Sequence, residues 1–472
     1  MIEFRSSRSR IQDGMRCARM RYLAHECFAD ADGNGGLSPV KVAVPLATGG
    51  AVHLGLAFLL QDAIGAGPVS KNERPDIEGA VEVALGEFKT QCEGRGLDLG
   101  ELESQSFVYN EQLALVEALV RLAGMRVIPR LIEEYEVLEV ERMDSRTLVD
   151  YPWEILWRSI PDALLRSRET GDLFVLSWKT CSSYDQQRDQ DARTDMQGLS
   201  EPWALEGRLE SWRTGIGRTH NTREVPQWFM DYCESHPGPV EIRGVQMIYL
   251  VKGQRRKDEQ DNTYKTQSPL LRGYKKDPSP GLVAAEFVTD LFYTCSAPHP
   301  FRYAKGGTCP GGVNHKRTDF ERFNTWETAG GVSAWIELLS KGGAGQQGID
   351  VLDAQWIMTV PHFRPKYMTE RWERQTRAME SRTARAMITV REYESALQEA
   401  KHMNVMDDSM WDKYQAVLDE LFPQTTEKCG DWFGRKCPMW EVCWGSDEVQ
   451  RDPVGSGLFQ IKTQYADKVG VE

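Results

Sequence analysis

An excess of positive charge is absent from this sequence. Its 472 residues include 57 Lys and Arg against 70 Asp and Glu, which gives a formal net charge of -13. A protein that coats nucleic acid through bulk positive charge is therefore excluded, and any contact with DNA must come from local basic groups. The 41 Gly and 22 Pro are spread along the chain, which excludes collagen-like and low-complexity classes and predicts a globular protein.

An apolar leader is also missing, because Met1–Arg5 runs directly into Ser- and Arg-rich sequence. We therefore expect a cytoplasmic protein. One uncharged run, Val42–Gln61, is long enough to cross a membrane. Pro45 and His53 interrupt it, and a lone imidazole inside a bilayer is costly. We interpret this run as a buried helix of a soluble protein that has no membrane partner.

Disulfides are not expected, because the ten Cys stand in a chain without an export signal and are therefore interpreted as thiols or metal ligands. The three that share one short C-terminal segment are Cys429, Cys437 and Cys443. Cys295, Cys309 and His315 form a second metal-ligand pattern, for which buried thiols and a loop imidazole are the simpler interpretation.

The hydrophobic periodicity changes along the chain. It is helical through most of residues 1–130. It then favours strands over Glu136–Glu141, Trp153–Ile160 and Leu173–Leu176, and Val240–Val251 returns as a strand after a further helix. The order α-β-β-β-α-β predicts an α/β fold, with a mixed sheet flanked by helices.

Five segments are predicted in chain order. They are a helical N-terminal region that holds Cys17 and His53 (1–130), the α/β core (131–251), an insertion (252–350), a strand with long helices (351–424) and a helical Cys-rich segment (425–472).

An acidic and a basic side chain fall at matching places on two neighbouring strands. Asp162 follows the second predicted strand, Lys179 ends the third, and the polar link 168–172 predicts an antiparallel hairpin. Such a pair aims a carboxylate-held Mg²⁺ or Mn²⁺ and an ammonium at one phosphate. His53 would add an imidazole that favours Mn²⁺, although a core histidine is the alternative. Gln197 stands on the helix that would cover the hairpin.

Together these residues resemble the PD-(D/E)XK nuclease superfamily. The resemblance is to its RecB-type branch in particular, which includes the AddB subunit and the CRISPR-associated iron–sulfur exonucleases. It covers roughly residues 7–251 and the Cys-rich C-terminus. The matching motifs are, in chain order, Ser7–Ile11 with Cys17–Leu23, Ala47–His53, Ile160–Asp162, Trp178–Thr180 and Gln197.

The resemblance implies a restriction-endonuclease-like core and a metal-dependent DNA exonuclease or single-strand nuclease. Asp162 and His53 would hold the ion, Lys179 would assist the attacking water, and Gln197 would position the catalytic elements or the DNA. It also implies work in recombination, repair or replication of phage or bacterial DNA, with a helicase or recombination protein as a candidate partner. Five N-terminal arginines are candidate phosphate contacts, with ordinary surface charges or partners of carboxylates as the alternatives: Arg8, Arg10, Arg16, Arg19 and Arg21.

In this family the C-terminal Cys segment closes onto a single Cys near the N-terminus. The resemblance therefore implies a structural [4Fe–4S] cluster on Cys17, Cys429, Cys437 and Cys443 that clamps the two ends of the chain together. Cys27 is the alternative N-terminal ligand. A zinc ion on the same thiolates is the alternative metal.

One position departs from the family pattern. The family has Asp or Glu two residues before the Lys, and this chain has Ser177. Either a carboxylate from elsewhere has taken over, with Glu141, Glu154 and Asp172 as candidates, or the site is inactive and the protein binds DNA without cutting it. The sequence leaves both interpretations open.

Overall fold

The chain is a mixed α/β protein, as the sequence predicts. The computed structural model describes residues 3–28, 35–65, 75–93, 95–98, 105–181, 184, 186–215, 225–252, 255–258, 263–266, 307–308, 314–315, 356–403, 405, 407–429 and 436–462. The predicted second metal pattern lies outside this set, because Cys295, Cys309 and the side chain of His315 are not among the described groups.

The N-terminal region is mostly helical, as predicted, but short strands interrupt it. Its elements are β1 (Glu3–Ser6), α1 (Arg8–Arg16), α2 (Ala18–Arg21), a π-helical turn (Tyr22–Glu26), β2 (Leu37–Pro39), β3 (Val42–Ala43), α3 (Val44–Asp62), α4 (Ile77–Cys92), β4 (Leu97–Asp98), α5 (Gln105–Leu122), a second π-helical turn (Ala123–Val127) and α6 (Ile128–Glu134). Between α1 and α2 the backbone of Cys17 is extended (φ -159°, ψ 120°), so this residue ends the first helix.

The central region supplies most of the sheet. Its elements are β5 (Tyr135–Val140), β6 (Asp144–Val149), β7 (Glu154–Ser159), β8 (Ala163–Ser167), β9 (Leu173–Cys181), α7 (Gln186–Thr194), α8 (Gln197–Thr214), α9 (Gln227–Ser235) and β10 (Ile242–Val251).

The remaining elements are short strands followed by long and short helices. They are β11 (Arg255–Asp258), β12 (Thr263–Thr266), β13 (Gly307–Thr308), β14 (Asn314–His315), β15 (Trp356–Met358), β16 (His362–Phe363), α10 (Lys366–His402), α11 (Asp408–Leu421), α12 (Thr426–Cys429), α13 (Trp440–Trp444), α14 (Asp447–Arg451) and β17 (Phe459–Ile461).

The principal sheet has the strand order β15-β10-β9-β8-β5, and β16 also pairs with β10. The pairs β5 with β8 and β8 with β9 are antiparallel, whereas β9 and β10 are parallel. A parallel pair requires a crossover connection, and α7, α8 and α9 lie in that crossover. The sheet is therefore mixed, and α8 follows closely on the strand that carries Lys179.

The second strand of this sheet differs from the prediction. The hairpin partner of β9 is β8, which begins after Asp162, whereas β7 lies between β1 and β6 in a separate three-stranded sheet. The apolar stretch of β8 is only Ala163–Leu165, too short to stand out beside the β-rich residues that precede it. Asp162 therefore precedes a strand of the principal sheet instead of ending one.

Side chains of the principal sheet alternate between two helical layers. Leu176 and Trp178 belong to a core with α3 and α5, whereas Val175 belongs to a core with α8 and α9. Ser177 and Lys179 share the parity of Val175 on β9. The alternation therefore directs both polar side chains towards α8.

Helix α3 is long and apolar enough to cross a membrane by length and composition. Half of its most apolar window is buried within the fold, and Ala51 and Leu56 have no exposed surface. A Cβ on Gly55 would lie 2.8 Å from Val120 Cγ2 of α5, so glycine permits the close contact between these helices. The helix is packed as a core helix of a soluble fold, as predicted, and it carries His53.

The two ends of the chain pack against each other. Arg21 donates to Glu380 of α10 (2.8 Å), and Arg19 donates to Asp419 (2.6 Å) and to the carbonyl of Phe422 (3.0 Å). Both arginines are buried. They hold the N-terminus to the C-terminal helices. For these two arginines the structure therefore supports the alternative prediction, carboxylate partners, and not phosphate contacts.

Candidate metal centre

A cleft of about 620 Å³ opens beside the ends of β5, β8 and β9. It is lined by β1, α1, the first π-helical turn, α3, the β5–β6 link, β7, the β7–β8 link, β9 and α8, and also by Gly35 and Lys462. Four of the predicted site residues line this cleft: His53, Asp162, Lys179 and Gln197. The structure therefore brings together residues that are as much as 144 positions apart (197 - 53) in the sequence.

Glu141 and Asp162 are neighbours because β5 and β8 are antiparallel. Val140 pairs with Ala163 in the ladder, and the backbone N–H of Glu141 donates to the carbonyl of Asp162 (3.1 Å). Glu141 also has a left-handed backbone (φ 47°), which is unfavourable for a residue with a side chain. Such strain is typical of functional positions, and here it accompanies a carboxyl group turned into the cleft.

His53, Glu141 and Asp162 form a compact group of potential ligands. One ligand atom from each lies within 4.8 Å of the others. Asp162 Oδ1 is 3.2 Å from His53 Nδ1, and Asp162 Oδ2 accepts the backbone N–H of Trp178 (2.6 Å). Carboxylate oxygens with one imidazole suit Mg²⁺ and especially Mn²⁺, so the donor chemistry fits the predicted ion.

The carboxyl groups of the cleft are strongly affected by burial. Burial raises the pKa of Glu141 to about 9, and Asp162 and Glu201 act in the same direction. Burial also raises the pKa of Glu201 to about 8, against the charge of Lys179. Asp162 differs, because His53, Lys179 and the Trp178 N–H outweigh its burial and hold its pKa below the usual value. Crowded carboxyl groups of this kind are stabilised by a divalent cation.

A second network joins Lys179 to the crossover helix. Lys179 Nζ and Arg8 Nη1 both donate to Gln197 Oε1, and Gln197 Nε2 donates to Ser177 Oγ (3.1 Å). Burial and the Arg8 guanidinium lower the pKa of Lys179, whereas Asp162 and Glu201 oppose them. Gln197 therefore holds the Lys179 side chain in position and also binds the hydroxyl group of Ser177.

Glu201 is a cleft residue that the sequence prediction missed. It is buried, and its Oε2 has no hydrogen-bond partner among the described residues. It stands four positions after Gln197 on α8, which places both side chains on one helical face. That spacing was the available signal, but α8 carries further acidic residues and the sequence did not distinguish them.

Two of the predicted replacement carboxylates lie away from the cleft. Glu154 is on β7, where its carboxylate accepts a bond from Thr147 (3.5 Å). Asp172 is at the β8–β9 turn beside Arg243 Nε (3.2 Å). The predictions that these residues supply the missing ligand are therefore wrong, and Glu141 is the candidate that reaches the site. Of the predicted phosphate contacts, Arg8 and Arg10 line the cleft.

The predicted cluster cysteines come from both ends of the chain. Cys17 Sγ accepts the backbone N–H of Thr425 (3.4 Å), and the thiol of Cys429 donates to the Thr425 carbonyl (3.7 Å). Burial raises the pKa of Cys443 to about 12, and the thiols of Cys437, Cys17 and Cys429 act in the same direction.

The four sulfurs do not form a compact ligand group. Among the described residues, no three of these cysteines have their sulfurs within 4.8 Å of one another. The thiol of the alternative ligand, Cys27, donates to the Leu23 carbonyl (3.0 Å).

Replacing Glu141 with Gly is expected to stabilise the metal-free protein by about 1 kcal/mol, because it relieves the left-handed strain and removes a buried carboxyl group. The same change should weaken Mn²⁺ binding. Urea unfolding in EDTA and calorimetric Mn²⁺ titration measure the two effects. As a control, Glu136→Gly on the same strand loses the contact of Glu136 with Arg166 Nε (2.9 Å) and should destabilise the protein. A less stable Glu141→Gly variant would contradict the interpretation.

Comparison with protein-family models and comparison with curated proteins both find no match to this chain.

Proposed function

We propose that this protein is a metal-dependent DNA nuclease with a PD-(D/E)XK-type site. The observation that carries the proposal is the convergence of His53, Glu141 and Asp162 within 4.8 Å in a cleft that Lys179 also lines. An acid pair, an imidazole and a buried lysine are the groups required to hold a divalent ion and act on a phosphodiester.

Each residue of the candidate site has a distinct role under this proposal. His53, Glu141 and Asp162 hold Mn²⁺ or Mg²⁺, and the Trp178 N–H keeps the Asp162 carboxylate in position. A bound ion supplies Lewis-acid polarisation of the phosphoryl group and a more acidic water. Lys179 orients the attacking water or stabilises the developing charge on the phosphate.

Glu201 acts beside Glu141 to compensate for the missing motif carboxylate. Ser177 is buried on β9 and hydrogen-bonded to Gln197, so no carboxylate stands at the usual position. Glu201 lies one turn further along α8, close enough for its charge to affect the pKa of Lys179. Glu201 Oε2 has no hydrogen-bond partner among the residues that the structure describes, and it is therefore available to the reaction. This supports an active site over the alternative, an inactive protein that only binds DNA.

The strand arrangement supports a restriction-endonuclease-like core. The elements α6, β5, β8, β9, α8 and β10 follow the order α-β-β-β-α-β, with β6 and β7 inserted after the first strand. We further propose a cytoplasmic role in DNA recombination, repair or replication, alongside a helicase or recombination protein, which follows from the family resemblance alone.

We also propose a structural [4Fe–4S] cluster on Cys17, Cys429, Cys437 and Cys443. The support is that residues from both chain ends converge near Thr425. Structural zinc on the same thiolates is the alternative.

Anaerobic purification tests both proposals in one preparation. We expect iron and sulfide in near-equal amounts with little zinc, and Mn²⁺-dependent cleavage of labelled single- or double-stranded DNA. The Cys443→Ser variant should lose iron, whereas its candidate metal centre at His53 and Asp162 should be unchanged. Zinc without iron would contradict the cluster. DNA that is bound but not cut in Mn²⁺ would favour the inactive binding protein.

A further inference from the structure

The C-terminal strand β17 brings a lysine to the candidate nuclease cleft. β17 pairs with β2 in antiparallel register, from Phe459 opposite Pro39 to Ile461 opposite Leu37. The ladder continues one residue further, where the N–H of Lys462 donates to the Gly36 carbonyl (2.9 Å). The side chain of Lys462 then lines the cleft that His53 and Asp162 also line.

The backbone at this point is tightly determined. Gly36 has a left-handed backbone (φ 88°), and a Cβ there would lie 2.2 Å from the Ala24 carbonyl oxygen. Phe459 is buried in a core that both ends of the chain form together with β6, β7 and α8. The position of Lys462 is thus fixed by a hydrogen-bonded ladder and a buried anchor, and not by its own long side chain.

The ammonium of Lys462 is partly buried and has no hydrogen bond or ion pair among the described residues. The acidic group with the largest effect on its pKa is Asp13, and the Asp13 carboxylate already contacts His25 Nε2 (2.8 Å). Burial accordingly lowers the pKa of Lys462. Burying a cation without a bound anion costs free energy. An anionic ligand in the cleft would offset this cost.

The cleft is lined by both carboxyl groups and cations. The carboxyl groups follow β5 (Glu141), precede β8 (Asp162) or lie on α8 (Glu201). Lys179 of β9 is one of the cations, and the others come from the N-terminal segment, β7 and the C-terminal segment: Arg5, Arg8, Arg10, Arg158 and Lys462. Arg10 is paired with Glu26 (2.9 Å) and Arg8 is bound to Gln197. Lys462 therefore offers its charge to a ligand without first breaking a bond to a described residue.

We propose that Lys462 binds a non-scissile phosphate of a single DNA strand lying in the cleft, so that the C-terminal segment completes the substrate site. This inference rests on the proposed nuclease function. The contact is between the ammonium and a non-bridging phosphate oxygen, which positions the strand and reads no base. It also links the cysteine-rich end of the chain to the cleft, because β17 follows the last cysteine by only sixteen residues (459 - 443).

The test is the salt dependence of DNA binding by the full-length protein, with Ca²⁺ in place of Mn²⁺. The probe is a fluorescein-labelled single-stranded oligodeoxynucleotide followed by anisotropy. Lys462→Gln should weaken binding about tenfold and reduce the slope of log K against log [NaCl] by about 0.7, the value for one phosphate contact on a single strand. Lys462→Arg should retain the wild-type slope.

A lysine in the same segment provides the matched control. Lys436 lies over the Trp440 ring, 5.2 Å from its centroid, and does not line the cleft, so Lys436→Gln should change neither affinity nor slope. An unchanged slope in Lys462→Gln, with or without a lower melting temperature, would overturn this inference alone. Failure of the wild-type protein to bind the probe would overturn the proposed function as well.

Discussion

Replacing Asp162 with Asn is expected to slow Mn²⁺-dependent DNA cleavage about a thousandfold. Asn has the same shape as Asp, and its side-chain carbonyl still accepts the Trp178 N–H that the carboxylate accepts at 2.6 Å. What is lost is the negative charge beside His53 Nδ1, which the divalent ion requires. Initial rates on end-labelled DNA at several Mn²⁺ concentrations measure the loss, and higher Mn²⁺ should recover only part of it.

Asp172 provides the control for this experiment. It is the other aspartate at an end of the β8–β9 hairpin, but it lies at the turn beside Arg243 and outside the cleft. Asp172→Asn should therefore cleave DNA at the wild-type rate. If Asp162→Asn retained full activity while its melting temperature was unchanged, the group formed with His53 and Glu141 would not be the catalytic metal centre.

The sequence was sufficient to predict those site residues that interrupt an apolar pattern. Asp162 and Lys179 are polar positions beside apolar strand residues, and His53 is the titratable position in the uncharged run Val42–Gln61. Strand alternation and helix periodicity place such residues without knowledge of the tertiary contacts. These three were therefore predictable, and the structure brings all three to one cleft.

The choice among the candidate carboxylates required the tertiary structure. Glu141, Glu154 and Asp172 are all close to the predicted strands in chain order. The antiparallel register that sets Val140 opposite Ala163 brings Glu141 to Asp162, and that register was not visible because the sequence prediction took β7 for the partner of β9. A strand as short as β8 leaves too few apolar residues to reveal its pairing.

The binding partners of the arginines also could not be predicted from the sequence. Arg8 and Arg19 stand in one short basic segment, yet Arg8 lines the cleft and Arg19 binds Asp419 and Phe422 about four hundred residues later. Charge in a sequence indicates a partner of opposite sign but not which one. Arg8 lies on α1 and Arg19 lies on α2, and the extended backbone at Cys17 separates these two helices.

Replacing Glu201 with Gln is expected to lower DNA cleavage about a hundredfold or more, and the loss should be partly reversible by a second change. Ser177 and Glu201 lie on either side of Gln197, which bonds to Ser177 and to Lys179. A carboxylate introduced at position 177 would reach the same neighbourhood. Ser177→Asp in the Glu201→Gln background should therefore recover at least about tenfold of the lost rate.

Glu206 is the matched control on the same helix. Its carboxylate accepts the backbone N–H of Ile242 (2.9 Å), a bond that the amide oxygen of Gln preserves, and it lines a different cleft. Glu206→Gln should leave the cleavage rate unchanged. This control shows whether the loss of activity is specific to Glu201 or follows from removing any buried carboxyl group of α8. If the wild-type protein did not cut DNA and Ser177→Asp alone conferred Mn²⁺-dependent cleavage, Glu201 would not be the replacement carboxylate, and the natural protein would be a DNA-binding relative of a nuclease.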